Sequence, residues 1–215
     1  MKTISIVLLC DGTSDFCICR PIEWIIGGRF EDLSFRVVPA LTLVPAKAIL
    51  SQRLRKTCLD YSPDVIVCHR DAERATHEAR LQEILDATAE AKISVPVVGA
   101  IPVRMTEAWL LFDEDALRAA ANNANGRVDL AMPRLERVEQ LQDPKELLFE
   151  KIRLASGLAA QRSRRFDVHR ARHRLAELID DFSPLRRLNA FQRFEESLIS
   201  AIEGLPSINA RNTNT

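Results

Sequence analysis

Residues 4–15 read Ile-Ser-Ile-Val-Leu-Leu-Cys-Asp-Gly-Thr-Ser-Asp, an apolar run that ends abruptly in a polar turn. Only Ser5 interrupts the run from Ile4 to Cys10, which is typical of a strand buried on both faces of a parallel sheet. Asp11 and Asp15 follow at once. The chain is therefore expected to open with a central strand whose carboxyl end carries two acidic side chains.

The same alternation of strand and helix continues through the first half of the chain. Gly27 and Gly28 are expected to end the first helix, and Pro96 and Pro102 indicate that the fourth strand is short or lies at an edge. Alternating strands and helices predict an α/β fold, a mostly parallel sheet flanked by helices on both faces. The further predicted strands are 33–38, 65–68 and 95–103, and the predicted helices are 15–26, 45–59, 73–91 and 106–121.

The pattern changes after Ala121, where Asn122 to Gly126 form a turn-rich break. Three helices and no clear strand are predicted beyond it, at 145–158, 164–179 and 184–202. The expected organisation is a metal-binding α/β domain at 1–121, a helical C-terminal extension packed on it at 122–207, and a disordered polar tail at 208–215.

Composition narrows the class of protein. The 215 residues include 30 Lys+Arg and 30 Asp+Glu, a balance that excludes a wholly basic nucleic-acid coat. No apolar run reaches the roughly 20 residues that span a bilayer, and no signal peptide is visible at the start, so we expect a cytoplasmic protein without a membrane partner. Cys10 and Cys68 fall in strand patterns and are expected to be buried thiols.

Acidic residues recur where predicted strands end. Besides Asp11, they are Asp71 and Glu73 after the third strand and Glu107 after the fourth. Carboxyl ends of parallel strands meet at one edge, where such sheets bind ligands. Several carboxylates without a cation would repel one another, which predicts a shared Mg²⁺. The alternative is structural: Asp71, Glu73 and Glu107 are also placed as caps or first-turn acids of the following helices.

These motifs resemble the TOPRIM family, in which an acidic residue and Gly follow the first strand and an acidic pair follows a later one. Asp11-Gly12 and Asp71-Ala72-Glu73 match those positions. Residues 69–73, 105–111 and 188–198 are together similar to a bacterial TOPRIM-related family of anti-phage defence proteins, encoded beside ABC-type or SMC-like ATPases.

The resemblance implies a TOPRIM-like fold and a metal-dependent endonuclease that uses Mg²⁺ (or Mn²⁺) to cleave phosphodiesters in DNA or RNA, as a defence effector controlled by an ATPase partner. It assigns the catalytic and metal-binding roles to Asp11, Asp71, Glu73 and Glu107. One departure counts against catalysis, because the family usually has Glu where this chain has Asp11. The alternative is therefore a catalytically inactive TOPRIM-like binding module that docks on an ATPase.

Residues 151–174 hold eight Lys or Arg and one acid, Asp167. This local excess within a neutral chain favours a phosphate-rich or acidic partner over plain solvation, although all three alternatives stay open. Nucleic-acid contacts are predicted at Arg70, beside the acidic cluster, and at Arg164, Arg165 and Arg172. Arg53, by contrast, is expected to be a solvated helix residue.

Overall fold

The computed structural model describes residues 3–41 and 48–208. It contains one sheet of four parallel strands in the order β2-β1-β3-β4. The strands are β1 (Ile4–Leu9), β2 (Phe35–Pro39), β3 (Val65–His69) and β4 (Val97–Ala100). The α/β class and the parallel sheet flanked by helices are thus confirmed, and β4 lies at an edge as its prolines predicted.

Eight α-helices are present in the described residues. Three alternate with the strands: α1 (Cys19–Arg29), α2 (Leu50–Tyr61) and α3 (His77–Ala91). The others are α4 (Glu114–Ala120), α5 (Pro144–Ala155), α6 (Ala160–Ser163), α7 (Val168–Leu178) and α8 (Asn189–Glu203). None of the helices in this part of the chain has the length and apolar character needed to cross a bilayer.

The strand order reverses direction next to β1. The chain passes from β1 to β2 on one side and then returns to β3 on the other side of β1. Right-handed crossovers therefore place α1 on one face and α2 and α3 on the opposite face. Packing agrees, since Leu54 of α2 and Ala87 of α3 share one buried cluster with Val7, Leu9 and Ile66.

The central strands are buried along their whole length. Every residue of β1 and of β3 is buried, which explains their nearly continuous apolar sequences. On α1 the buried side chains include Ile22, Ile25 and Ile26, spaced to form one apolar face. The core of the sheet is therefore built mostly from aliphatic side chains.

The chain divides into two compact units. One comprises residues 1–101 and 190–215, and the other comprises residues 102–189. The second unit starts twenty residues before the predicted boundary at Ala121, and α8 belongs with the sheet rather than with the helices that precede it. Phe191, Phe194 and Leu198 of α8 are buried, as their spacing predicted. Most of the predicted tail, residues 209–215, lies outside the described residues.

Several predicted helices have other bounds in the structure, among them those that follow β1 and β4. Gly27 and Gly28 lie within α1 instead of ending it. The segment predicted as one helix at 106–121 is a 3-10 helix at Thr106–Leu110 followed by α4. The break occurs because the Asp113 carboxylate accepts a hydrogen bond from the Ala116 N–H at 2.8 Å and so starts a new helix. Further 3-10 helices span Thr13–Ile18, Leu135–Gln140 and Ser183–Arg187, and the predicted start of α2 at Pro45 lies outside the described residues.

Candidate functional site at the carboxyl edge of the sheet

The strand order reverses at β1, so the carboxyl ends of β1 and β3 lie side by side at the point of reversal. These strands pair directly, with Leu9 opposite Cys68. Asp11 follows β1 by two residues, His69 ends β3, and Asp71 follows β3 by two residues. In parallel α/β sheets the point where the strand order reverses is the usual place for a ligand. Charged side chains of the first unit therefore converge at a position suited to binding.

Asp11 lies between two guanidinium groups. The Arg53 Nη1 donates to Asp11 Oδ1 at 2.6 Å, and its Nη2 donates to the Cys10 carbonyl at 2.6 Å. Arg70 Nη1 reaches Asp11 Oδ2 at 3.4 Å. Arg53 is only 3% exposed, whereas the Asp11 side chain is 48% exposed, so the pair joins a buried cation to an accessible anion.

Arg53 was predicted to be solvated, and that prediction is wrong. On α2 it shares a face with Leu50 and Thr57, three residues before and four residues after it. That helical spacing is a signal of burial that could have identified Arg53. Its long side chain crosses the apolar layer and delivers the guanidinium to the end of β1.

His69 is buried between two carboxylates. Its Nε2 lies 3.2 Å from Asp71 Oδ1, and its Nδ1 lies 3.5 Å from Asp15 Oδ2, an ion-pair contact rather than a well-formed hydrogen bond. Burial alone would lower the pKa of His69, but the hydrogen bonds and charges of Asp15 and Asp71 outweigh it and raise the pKa to about 9. The imidazole is therefore positively charged at neutral pH.

Asp15 is held by the turn that follows β1. Its Oδ2 accepts from the Gly12 N–H at 3.3 Å, and its Oδ1 accepts from the Ser14 hydroxyl at 3.0 Å. Burial raises the pKa of Asp15, but contacts with His69, Ser14 and Gly12 together lower it by more. The pKa of Asp15 therefore lies below its ordinary value. Asp15 is thus an ionised partner of His69.

The thiols of Cys10 and Cys68 at this edge are protonated at neutral pH and therefore unreactive. Burial raises the pKa of Cys10 and that of Cys68 to about 12 in each case. Both side chains are buried, as predicted, and both cysteines are free. Because the thiolate is the nucleophile and the metal ligand, neither cysteine is suited to either role here.

Asp71 and Glu73 are not capping residues of the helix that follows them. Thr76 caps α3, and its hydroxyl accepts from the Ala79 N–H at 3.1 Å. Glu73 has a positive φ of 53° and a side chain that is 66% exposed, with its carboxylate 3.6 Å from Arg80. Asp71 thus belongs to the cluster formed by Asp15, His69 and Asp71, which we call the His69 cluster. Glu73 lies outside it and contacts Arg80 on the surface.

Glu107 belongs to the second unit. It is buried, and its Oε1 lies 3.1 Å from the Nε of Arg172, which is also buried. A buried carboxylate needs a compensating charge, and Arg172 supplies one without any metal. The burial of Arg172 also argues against its predicted contact with nucleic acid, because its guanidinium is not offered to solvent.

The other predicted nucleic-acid contacts are accessible. Arg164 and Arg165 are exposed, and neither forms an ion pair with any residue in the described ranges. Arg70 is partly exposed and contacts Asp11 and, at 3.6 Å, Glu83. Arg70 is therefore the arginine that combines accessibility with a position at the carboxyl edge.

The donor atoms at this edge suit a hard cation, since Asp11, Asp15 and Asp71 all offer carboxylate oxygens. Their present partners are cations of the protein itself, Arg53, Arg70 and His69. Within residues 3–41 and 48–208, no group of three His, Cys, Asp or Glu side chains is arranged to hold one ion. An ion bound here would therefore have to compete with these internal cations.

The sequence and the structure were also compared with known proteins. No protein-family model, no curated protein and no solved structure matched the chain. The resemblance described above consequently stays a prediction that rests on its motifs.

Proposed function

We propose that this chain is a Mg²⁺-dependent nuclease that cleaves phosphodiester bonds in DNA or RNA at the carboxyl edge of its sheet. The observation that supports the proposal is the convergence of Asp11 and Asp71 at the reversal between β1 and β3, with Arg70 between them in the chain and in contact with Asp11. Carboxylate oxygens are the ligands that Mg²⁺ prefers, and an accessible arginine can pair with a phosphate.

Asp11 and Asp71 are the residues that would hold the ion. Their side chains are the more accessible carboxylates of the cluster, and Mn²⁺ would suit the same oxygen donors. When bound, Mg²⁺ supplies charge neutralisation at the phosphate oxygens. Glu73 and Glu107 are left out of the ion's immediate surroundings. Glu73 lies on the surface beside Arg80, and Glu107 is buried beside Arg172 in the second unit.

The remaining residues orient these groups. His69, charged and buried, fixes Asp71 through its Nε2 and is itself anchored by Asp15 at its other nitrogen. Arg53 fixes Asp11 against the end of β1. Arg70 would bind a non-bridging phosphate oxygen, for which its guanidinium geometry is suited. Each positioning residue lies in the first unit, so the arrangement needs no contribution from the second.

A cleavage assay tests the proposal directly. Purified protein is incubated with plasmid DNA, single-stranded DNA and structured RNA in Mg²⁺, in Mn²⁺ and in EDTA. Cleavage should require the ion and should fall by at least about a hundredfold in Asp71→Asn, which keeps the shape of the side chain and removes its charge. Glu90→Gln is the matched control, since Glu90 is an exposed acid on α3.

Ion binding provides a second measurement. Mg²⁺ or Mn²⁺ should raise the unfolding temperature of the unaltered protein and of Glu90→Gln, but not that of Asp71→Asn. Equal cleavage by Asp71→Asn and by the unaltered protein would refute the assignment.

A second function is favoured by a specific observation, namely that protein cations already occupy each carboxylate of the cluster. In that alternative the chain is a TOPRIM-like binding module that docks on an ATPase, and the charged cluster stabilises the sheet edge. It predicts no cleavage by the unaltered protein and no rise in its unfolding temperature with Mg²⁺ or Mn²⁺. The two functions therefore differ in the same pair of measurements.

A further inference from the structure

The second unit carries an open groove of about 410 Å³ beside the end of α5 and the start of α6. Aliphatic side chains form most of its wall. Val128 and Leu154 are 48% and 39% exposed, so two aliphatic side chains of the wall are open to solvent. The groove is lined by Val128, Leu154, Leu158 and Ala160, together with Arg153 and Ser163.

Four arginines without ion-pair partners either line this groove or adjoin in sequence a residue that lines it. Arg153 lines it directly, and the exposed Arg127, Arg162 and Arg164 each adjoin a lining residue in the chain. In the part of the chain that the structure describes, none of these four side chains forms an ion pair. By contrast, Arg118 in the same unit is paired with Glu114.

The pairing pattern matters because the whole chain is neutral. The chain has 30 basic and 30 acidic residues, so a local excess of one sign is a feature of that part of the surface and not of the composition as a whole. Residues 151–174 hold eight Lys or Arg against Asp167 alone, and Asp167 caps α7 through the Arg170 N–H at 2.9 Å. Lys151 and Arg172 of this stretch pair with Glu150 and Glu107. The charge left for an anionic partner is therefore that of Arg127, Arg153, Arg162 and Arg164, with the exposed Asp129 beside Val128 set against it.

The chemistry of the groove favours a protein segment over a nucleic acid. Proteins bind single strands by stacking bases on aromatic rings, and none of the described residues that line the groove is aromatic. Binding to a phosphate backbone alone does not need exposed aliphatic side chains. An aliphatic centre with a rim of arginines is instead the usual composition of a protein–protein contact.

We propose that this groove, with Arg153 in its wall and with Arg127, Arg162 and Arg164 next in sequence to its lining residues, is a docking surface for an acidic, amphipathic segment of a partner protein. One or two aliphatic side chains of that segment would lie against Val128 and Leu154, and its Asp and Glu residues would face the arginines. The surface lies within the second unit, so the proposal does not depend on the chemistry of the sheet edge.

A display selection with a random peptide library on the full-length protein tests this proposal. The selected peptides should carry Asp or Glu around one or two aliphatic residues. Binding of a labelled selected peptide is then measured by fluorescence anisotropy. Leu154→Glu and Arg153→Glu should each weaken it by about tenfold or more, since each places a negative charge against the acidic peptide.

Matched controls come from the same unit. Leu178→Glu alters a leucine of similar exposure on α7, and Arg134→Glu alters an exposed arginine that does not line the groove. Both variants should bind the peptide within about twofold of the unaltered protein. Selected peptides without an acidic bias, or peptides that bind all four variants equally, would overturn the proposal.

Competition with labelled oligo-dT and oligo-U tests whether the groove binds nucleic acid. Under the proposal they should not displace the selected peptide from the groove. Displacement of the peptide by either oligonucleotide, together with oligonucleotide binding that Arg153→Glu abolishes, would assign the surface to nucleic acid and overturn the proposal.

Discussion

The guanidinium of Arg53 donates at 2.6 Å both to the Asp11 carboxylate and to the Cys10 carbonyl, so a side chain from α2 closes the carboxyl end of β1. The two partners differ in environment, because Arg53 is buried and Asp11 is half exposed. The Arg53 Nε makes no hydrogen bond with a described residue. The buried charge therefore depends on Asp11 more than Asp11 depends on it.

That asymmetry predicts coupled losses of stability. Asp11→Ala should cost about 1–2 kcal/mol in the free energy of unfolding, since it leaves a buried guanidinium without its carboxylate. Arg53→Leu should cost about 1–3 kcal/mol, because the buried Cys10 carbonyl then lacks its donor. The double variant should cost clearly less than the two together, measured by urea unfolding in a double-mutant cycle.

The control is Asp60→Ala, which breaks a surface pair with Lys56 and should lower the free energy of unfolding by under about 1 kcal/mol. Strictly additive costs for the Asp11 and Arg53 variants would contradict the pairing of these two residues.

The His69 cluster predicts how stability changes with pH. The pKa of His69 is about 9 in the folded protein, above its ordinary value of 6.5, so protonation favours the folded state. The contribution should be complete below about pH 6.5, decline as the pH rises and vanish above about pH 9. In acid, the lowered pKa of Asp15 has the opposite effect, and its contribution is lost below its ordinary value of 3.8.

Thermal unfolding of the unaltered protein and of His69→Gln across this range measures the effect. The difference between them should be largest near pH 6 and should shrink towards pH 9, by on the order of 3 kcal/mol in total. Asp86→Asn changes an exposed acid of α3 and should follow the unaltered protein at every pH. A difference that stays constant from pH 6 to pH 9 would show that His69 is not charged in the folded state.

Glu107 and Arg172 should behave as a structural pair that is indifferent to metal. Arg172→Met leaves a buried carboxylate without its partner and should destabilise the protein by about 3–5 kcal/mol. Glu107→Gln should also lower stability, and the loss should be the same in EDTA and in Mg²⁺. The measurement is thermal unfolding in the two buffers. Loss of a Mg²⁺-dependent stabilisation in Glu107→Gln would instead return Glu107 to the predicted set of metal ligands.

Gly27 and Gly28, which lie inside α1, are positions where a substitution should stabilise the protein rather than destabilise it. An added Cβ at Gly27 or Gly28 would meet no atom within 4 Å. Gly27→Ala and Gly28→Ala should therefore each stabilise the protein, by about 0.5–1 kcal/mol, because alanine loses less backbone entropy in a helix. Gly157→Ala is the contrast: its φ of +63° is left-handed, so the same change should destabilise. Chemical denaturation of the three variants gives the comparison, and destabilisation by Gly27→Ala would contradict the helical environment.

The sequence was sufficient to predict the sheet and the position of its charged edge. Continuous apolar runs in β1 and β3 identify buried strands, and acidic residues directly after them must emerge at the carboxyl edge. That reasoning placed Asp11 and Asp71 correctly at neighbouring strand ends. It could not supply their partners, because Arg53 is 42 residues from Asp11 in the chain and reaches it only through the crossover of α2.

Other features depend on contacts that local patterns do not specify. The spacing of Phe191, Phe194 and Leu198 predicted a buried face on α8 but not that the helix returns to the first unit. The charge of Glu107 suggested a strand-end ligand, whereas its pairing with Arg172 links residues 65 positions apart. Ion pairs between residues so far apart in the chain are determined by tertiary packing. The residue types alone allow several different pairings of acidic with basic side chains.

The interrupted first unit has a consequence for the order in which the protein is made. Residues 102–189 form the second unit without any later part of the chain, so that unit can become compact while synthesis continues. The first unit must wait for residues beyond Asn189, because α8 supplies Phe191, Phe194 and Leu198 to its interior and Arg193 to an ion pair with Glu78. The sheet that carries the charged edge is thus the earlier part to emerge from the ribosome and the later part to be completed.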